Sequence, residues 1–179
     1  MNTLKIALIL LILPWQVKAD VIHLKDNIRI TLEVTAQPKI EVETPSSINL
    51  MPLISGSHNN GIYSANNIPI YITLHQQESF RVSVTQPLIL TRDSGAAQEF
   101  YPAAIYLVYM VTGIGAAKRE LSEMPETFNV AETTLDQNRT DHSLTRTRFL
   151  LNIYAKAPEG PDIAGHYHGQ LTLLFETNS

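Results

Sequence analysis

Ten residues, Asn27 to Ala36, alternate so regularly that an extended strand is the conformation they encode. Ile28, Ile30, Leu32, Val34 and Ala36 fall on one parity, and Arg29, Thr31, Glu33 and Thr35 on the other. Successive side chains of a strand point to opposite faces, so this stretch has one apolar face and one wet face. The parity runs back to Leu24 and Ile22, broken only by Asp26, and forward past Pro38 to Ile40 and Val42. Such a segment must join a sheet, in its own chain or in another molecule. Periodicity alone leaves both open: an ordinary first strand of a β-sandwich, or a strand lent to a neighbour.

The residues before it read as an export signal. Lys5 gives a positive start, Ile6 to Leu13 an apolar centre, and Val17-Lys18-Ala19 a small-residue cleavage pattern, so residues 1–19 are expected to leave and Asp20 to begin the mature chain. The apolar run is well short of the roughly 20 residues that span a bilayer. Of 13 basic residues two lie in the signal, which leaves 11 against 17 acidic ones, a net charge of −6. That argues against a nucleic-acid partner, whose phosphates need basic patches. About 160 mature residues suffice for one domain with a real core. There is no cysteine, so an exported chain of this kind relies on packing and strand pairing rather than disulfides.

Strand signals continue to the end. Ile68, Ile70, Ile72 and Leu74 alternate, as do Phe80, Val82 and Val84, with His75 to Ser79 expected to join them as a hairpin. Ile48 to Ile54 is apolar but broken by Pro52, and Ser55 to Gly61 has the composition of a loop. Leu88 to Leu90 is a short apolar run closed by the turn signal Asp93-Ser94-Gly95. Ala103 to Val111 is apolar on both parities, which predicts a strand covered on both faces. Ile114 to Glu126 reads as a loop or short strand, with a helical turn at Ala116 to Leu121 as the alternative. Thr127 to Thr134 alternates again, and Asp136 to His142 is a polar loop. Phe149, Leu151, Ile153 and Ala155 form another strand, ended by Ala157-Pro158-Glu159-Gly160-Pro161. The last strand starts near His166 and carries Leu171, Leu173 and Phe175 on one parity. Many short strands with no long helix predict an all-β, antiparallel sandwich.

Nothing in the sequence looks catalytic. Asp141-His142-Ser143 has the residue types of a triad, but sequence neighbours do not take up triad geometry, and G-x-S-x-G is absent. His166 and His168 share a face if both lie within a strand, but no third ligand is signalled, so neither a metal nor any other cofactor is expected. Asn138-Arg139-Thr140 matches a glycosylation acceptor, which would carry little meaning if the host is bacterial. Tyr101, Tyr106 and Tyr109 read as core or interface aromatics.

Both ends of the chain carry a resemblance. The run Asn27 to Ala36 followed by Gln37-Pro38-Lys39-Ile40 resembles the N-terminal extension of CS1-type fimbrial subunits, the CFA/I-like pilins of enterotoxigenic bacteria. Ala155-Lys156-Ala157-Pro158 and then Ala164-Gly165-His166-Tyr167-His168-Gly169-Gln170-Leu171-Thr172-Leu173 is similar to the family's A-G-x-Y-x-G-x-hydrophobic ending. The lack of cysteine also fits. The resemblance implies an immunoglobulin-like sandwich, incomplete by one strand and completed by donor-strand exchange. It divides the chain into a signal (1–19), an N-terminal extension or donor strand (20–37) and a pilin domain (38–179). Ile28, Ile30, Leu32, Val34 and Ala36 would then be the donor face. Tyr167, Leu171, Leu173 and Phe175 would line the edge that accepts a chaperone strand or a neighbour's extension.

With Ser179 soon after that edge, no later strand is expected to cover it, and an open edge aggregates unless something pairs with it. Five apolar side chains at about 1.5 to 3 kcal/mol each supply roughly 7 to 15 kcal/mol before ordering costs. The implied partners are neighbouring pilin subunits, a periplasmic chaperone, an outer-membrane usher and a tip adhesin, on a fimbrium at the cell surface that supports host-cell adhesion. The alternatives are a minor adhesive subunit of such a fimbrium and a self-contained exported β-sandwich binding module.

Overall fold

The strand-period alternation resolves into eleven strands in the computed structural model, which describes residues 28–34, 40–44, 54–55, 61–93, 98–130, 144–159 and 165–177. They are β1 (Ile28–Val34), β2 (Ile40–Glu43), β3 (Ile54–Ser55), β4 (Ile62–His75), β5 (Ser79–Gln86), β6 (Thr91–Arg92), β7 (Ala104–Val111), β8 (Gly115–Leu121), β9 (Glu126–Asn129), β10 (Leu144–Lys156) and β11 (Tyr167–Thr177). No helix is present among the described residues apart from a single helical residue at Val130.

Two sheets form the sandwich. One has the order β1-β11-β5-β9, with β6 paired to the start of β11; the other has the order β2-β4-β10-β7-β8, with β3 paired to β4. All pairings are antiparallel except β1 with β11. Alternation decides which side chains meet between the sheets. Ile68, Ile70, Ile72 and Leu74 of β4 and Phe149, Leu151 and Ile153 of β10 face Phe80, Val82, Leu171, Leu173 and Phe175 across the core, and all are essentially buried. Phe80 sits at the middle. Its ring stacks on Phe128 at 5.5 Å, meets Phe149 edge-on at 5.4 Å and lies 6.3 Å from Phe175, so one ring links β5, β9, β10 and β11. Such aromatic pairs add about 0.5–1.5 kcal/mol each beyond the area they bury.

The structure corrects three local expectations. His75 to Ser79 does not close a hairpin: β4 and β5 lie in different sheets, and the chain crosses between them through Gln76, which takes a φ of 56°. Alternation in two consecutive runs says that each is a strand, not that they pair. Ala103 to Val111 is not covered on both faces. Ile105, Leu107 and Tyr109 point into the core, while Ala104, Tyr106, Val108 and Met110 remain half-buried on the outside. There Tyr106 packs edge-on against Tyr154 at 5.7 Å with the Lys118 ammonium 5.0 Å above its ring. Burial first, then the neighbouring Glu120 carboxylate that accepts its hydrogen bond, pushes the Tyr106 hydroxyl above its ordinary pKa. The outer apolar parity is thus shielded by cross-strand neighbours rather than by a second layer.

The third correction is Leu88 to Leu90, which joins no sheet yet buries Leu88 and Leu90. Gly115–Leu121 is a strand, so the helical-turn alternative is not adopted, and the strand expected at Thr127 to Thr134 is seen as Glu126–Asn129. Residues 1–27, Ala36, most of Ile48 to Ile54, the Asn138-Arg139-Thr140 pattern and Asp141-His142-Ser143 lie outside the described residues.

One irregularity bends the longest strand. The β4–β10 ladder shifts register between Leu151 and Ile153, and opposite the shift Asn67 adopts a φ of 61°. Its backbone N–H donates to Asn152 Oδ1 at 2.7 Å. Asparagine tolerates the left-handed region better than other non-glycine residues, and the extra residue is a β-bulge.

Candidate functional site

The apolar strand Ile28–Val34 and the strand Tyr167–Thr177 lie side by side. β1 runs parallel to β11 with a register of Ile28↔Gly169, Ile30↔Leu171, Leu32↔Leu173 and Val34↔Phe175. Residues of matching parity face the same way, so Ile28 and Ile30 turn into the core beside the fully buried Leu171, Leu173 and Phe175. Leu32 is half-buried against the same cluster, and Arg29 and Glu33 are exposed. Among the described residues β11 is the only strand that β1 pairs with, so β1 forms the margin of its described sheet and no other described pairing runs through it.

The residues expected to act together therefore divide. Ile28, Ile30, Leu32 and Val34 are the backbone register partners of Gly169, Leu171, Leu173 and Phe175. Ala36 lies outside the described residues. Tyr167 sits before the shared run, paired with Arg92 of β6. Its side chain is a core anchor. The ring meets Phe100 edge-on at 4.9 Å, Phe100 in turn meets Tyr63 at 5.6 Å, and the Tyr167 hydroxyl donates to Gln98 Oε1 at 3.1 Å. Burial, then the proximity of Tyr167, raises the pKa of the Tyr63 hydroxyl. Replacing Tyr167 with Phe keeps the ring and removes the hydroxyl's bond to Gln98, and chemical denaturation is expected to show a loss of about 0.5–1.5 kcal/mol for that bond.

The glycines of the Gly165-His166-Tyr167-His168-Gly169 ending have distinct physical reasons. Gly165 has a φ of +155°, and a Cβ there would sit 2.7 Å from Arg92 Nε. Gly169 lies under the Leu88–Leu90 segment: a Cβ would come within 2.6 Å of the Ile89 carbonyl oxygen and 2.7 Å of Leu88 Cδ1. That segment is fixed from its other side, where Phe100 N–H donates to Leu90 O and Ala103 N–H donates to Leu88 O, both at 2.9 Å. Those two bonds on either side of Ile89 oppose its retreat. Gly169→Ala is accordingly expected to destabilise the fold by about 1–3 kcal/mol, as overpacking does elsewhere, visible as a lowered thermal midpoint. Sequence reasoning noted both the apolar run and the glycine but had no means of placing one over the other.

Polar contacts fasten the margins. Asp93 N–H donates to His166 O at 2.9 Å, and the His168 ring Nδ1 bonds the Asp93 carboxylate, which ties β6 to the start of β11. Across the other sheet His75 Nε2 lies 3.2 Å from Glu41 Oε1, and Arg146 donates to Glu43 Oε2 at 2.6 Å, which holds β2 on β4 and β10. His166 precedes β11 rather than lying in it, so it and His168 do not share a strand face. Among the described residues no group of three His, Cys, Asp or Glu side chains is placed to hold a metal. What the arrangement offers is a sheet margin: a row of main-chain hydrogen-bonding groups on β11 above an apolar floor, with one short strand laid along it.

No protein-family model and no curated protein matches the sequence. In three dimensions the chain is similar to the CooA pilin subunit from enterotoxigenic Escherichia coli, with a TM-score of 0.48 and 12% identity, over 79% of this chain and 99% of that one.

Proposed function

We propose that this chain is a structural pilin of a chaperone–usher fimbrium, exported through the periplasm to the cell surface and polymerised by donor-strand complementation. The observation that carries this reading is the attachment of β1. Among the described residues, the strand whose sequence resembles a donor extension is joined to the sandwich by one ladder, along Leu171, Leu173 and Phe175, and its removal interrupts no other strand pair. A strand held in that way is exchangeable for an equivalent strand from another molecule, and strand addition at a sheet edge is an established mode of recognition. In this reading residues 20–37 are the donor, residues 38–179 the acceptor domain, and a periplasmic chaperone guards the margin of β11 until an usher delivers the next subunit. Neighbouring pilins are the lasting partners, and adhesion to host cells is carried by the assembled fibre or its tip adhesin.

A second reading is favoured by one specific observation. β1 is paired within its own chain, as it would be in a self-contained exported binding module. The two readings part on assembly. Co-expressed with its chaperone and usher, the full chain is expected to give surface fibres by negative-stain microscopy, and the chain lacking residues 20–36 is expected to give chaperone-bound subunit and no fibres. A full-length chain that stays monomeric under those conditions would falsify the pilin reading and leave the binding module.

A further inference from the structure

We infer that β1 is an exchangeable self-cap: in the isolated chain it closes the chain's own β11 margin, and it must leave before any strand from outside can bind. The inference rests on the pilin reading for its biological purpose, but its content is a property of the single chain.

Four observations carry it. First, the margin is occupied: Ile28 and Ile30 are buried, at 4% and 8% exposure, over Leu171, Leu173 and Phe175, so a second strand finds no vacant floor. Second, the cap is the one parallel pairing among the described residues, and parallel ladders are somewhat less stable per residue than antiparallel ones. Third, the cap is uneven: Leu32 is only half-buried, while Ile28 and Ile30 are covered. Fourth, strict alternation does not fix one pairing. Sliding the strand by two residues, or laying it in the opposite direction, turns the same apolar face to the core. The stretch therefore fits this margin in its own chain and the identical margin of another copy.

Effective concentration decides which of the two is occupied. A strand that ends five residues before β2 in the same chain meets its own margin at an effective concentration in the millimolar range. At micromolar subunit the internal pairing is favoured about a thousandfold over an equally good external one. The isolated chain is therefore a closed monomer. Growth of a polymer requires either a better-seated incoming strand or a partner that holds β1 away.

A disulfide lock tests this directly, because the natural chain has no cysteine to interfere. Arg29 and Gln170 are register partners on the outer face, and adjacent strands lie about 4.8 Å apart, within reach of a disulfide. The Arg29→Cys/Gln170→Cys mature chain, purified as a monomer and oxidised, is expected to form an intramolecular disulfide. A fluorescent peptide of sequence Asn27 to Ala36 should then bind the reduced chain slowly, at a rate that stops rising with peptide concentration because release of β1 limits it. The oxidised chain should bind it at least 100-fold more slowly. Disulfides formed only between chains, equal peptide uptake by locked and reduced chains, or no uptake by the reduced chain would each overturn the inference. Fibres formed in cells alongside any of those results would leave the pilin reading standing. Peptide exchange as expected, with no fibres from the full chain, would remove the pilin reading and leave the self-cap.

Discussion

Leu173→Asp is expected to leave no folded protein. Leu173 is fully buried and takes part in both ladders of its strand, opposite Leu32 on one side and Val84 on the other. Removing the leucine from such a site costs about 2–5 kcal/mol in packing. The aspartate adds the penalty of a carboxylate in an apolar layer between Ile30, Phe175 and the facing sheet, several kcal/mol more even if it protonates. Together these reach the roughly 5–15 kcal/mol that holds a domain of this size folded. Soluble yield on expression, followed by circular dichroism of whatever is recovered, measures the outcome. The control is next door. Leu174 points to the outer face, half-buried between Glu33 and Ser83, and Leu174→Thr is expected to change stability by less than about 1 kcal/mol. A folded, soluble Leu173→Asp chain would mean that this margin is not part of the core.

Ile30→Asp is expected to separate folding from assembly. Ile30 lies midway along β1, buried beside Leu171, and a charge there makes docking of the strand unfavourable by several kcal/mol. The cost falls on one ladder. β11 keeps β5 and β6, and the second sheet is untouched, so the body of the sandwich is expected to stay folded with its margin uncovered. Subunit levels in the presence of a chaperone should be close to normal, fibres should be absent, and the purified variant should take up the Asn27 to Ala36 peptide faster than the natural chain because no cap has to leave. Normal fibres from Ile30→Asp would exclude β1 as the donor. Loss of the subunit itself would show that β1 is indispensable to the fold.

Much of this molecule is legible in its sequence because a strand advertises itself by period two, and burial of one face is a local property of that period. The apolar parities of 28–34, 68–74, 80–84, 149–155 and 171–175 are the inward faces wherever the side chains are described, and the apolar face of β1 was readable without any knowledge of its partner. Where outer residues are also apolar the rule misleads. Tyr106, Val108 and Met110 looked like a second buried face but are sheltered only by neighbours on the same sheet, and periodicity cannot distinguish those two kinds of cover. Pairing is a further step removed. Nothing local in His75 to Ser79 says that the chain changes sheets there, because that depends on which strands compete for each edge.

The sequence by itself determined that residues 28–34 form an extended strand with an apolar face, that 171–175 form another, and that no disulfide fastens either of them. Only the tertiary structure decided that the two lie parallel, in the register Ile28↔Gly169, and within one chain. It also placed Tyr167 with Phe100 and Gln98, and the Leu88–Leu90 segment over Gly169. The physical reason is that alternation fixes which side chains need cover but is blind to direction, to shifts of two residues and to the identity of the molecule that supplies the cover. Those are settled by where the connections allow a strand to reach, and by what else is packed at the place where it arrives.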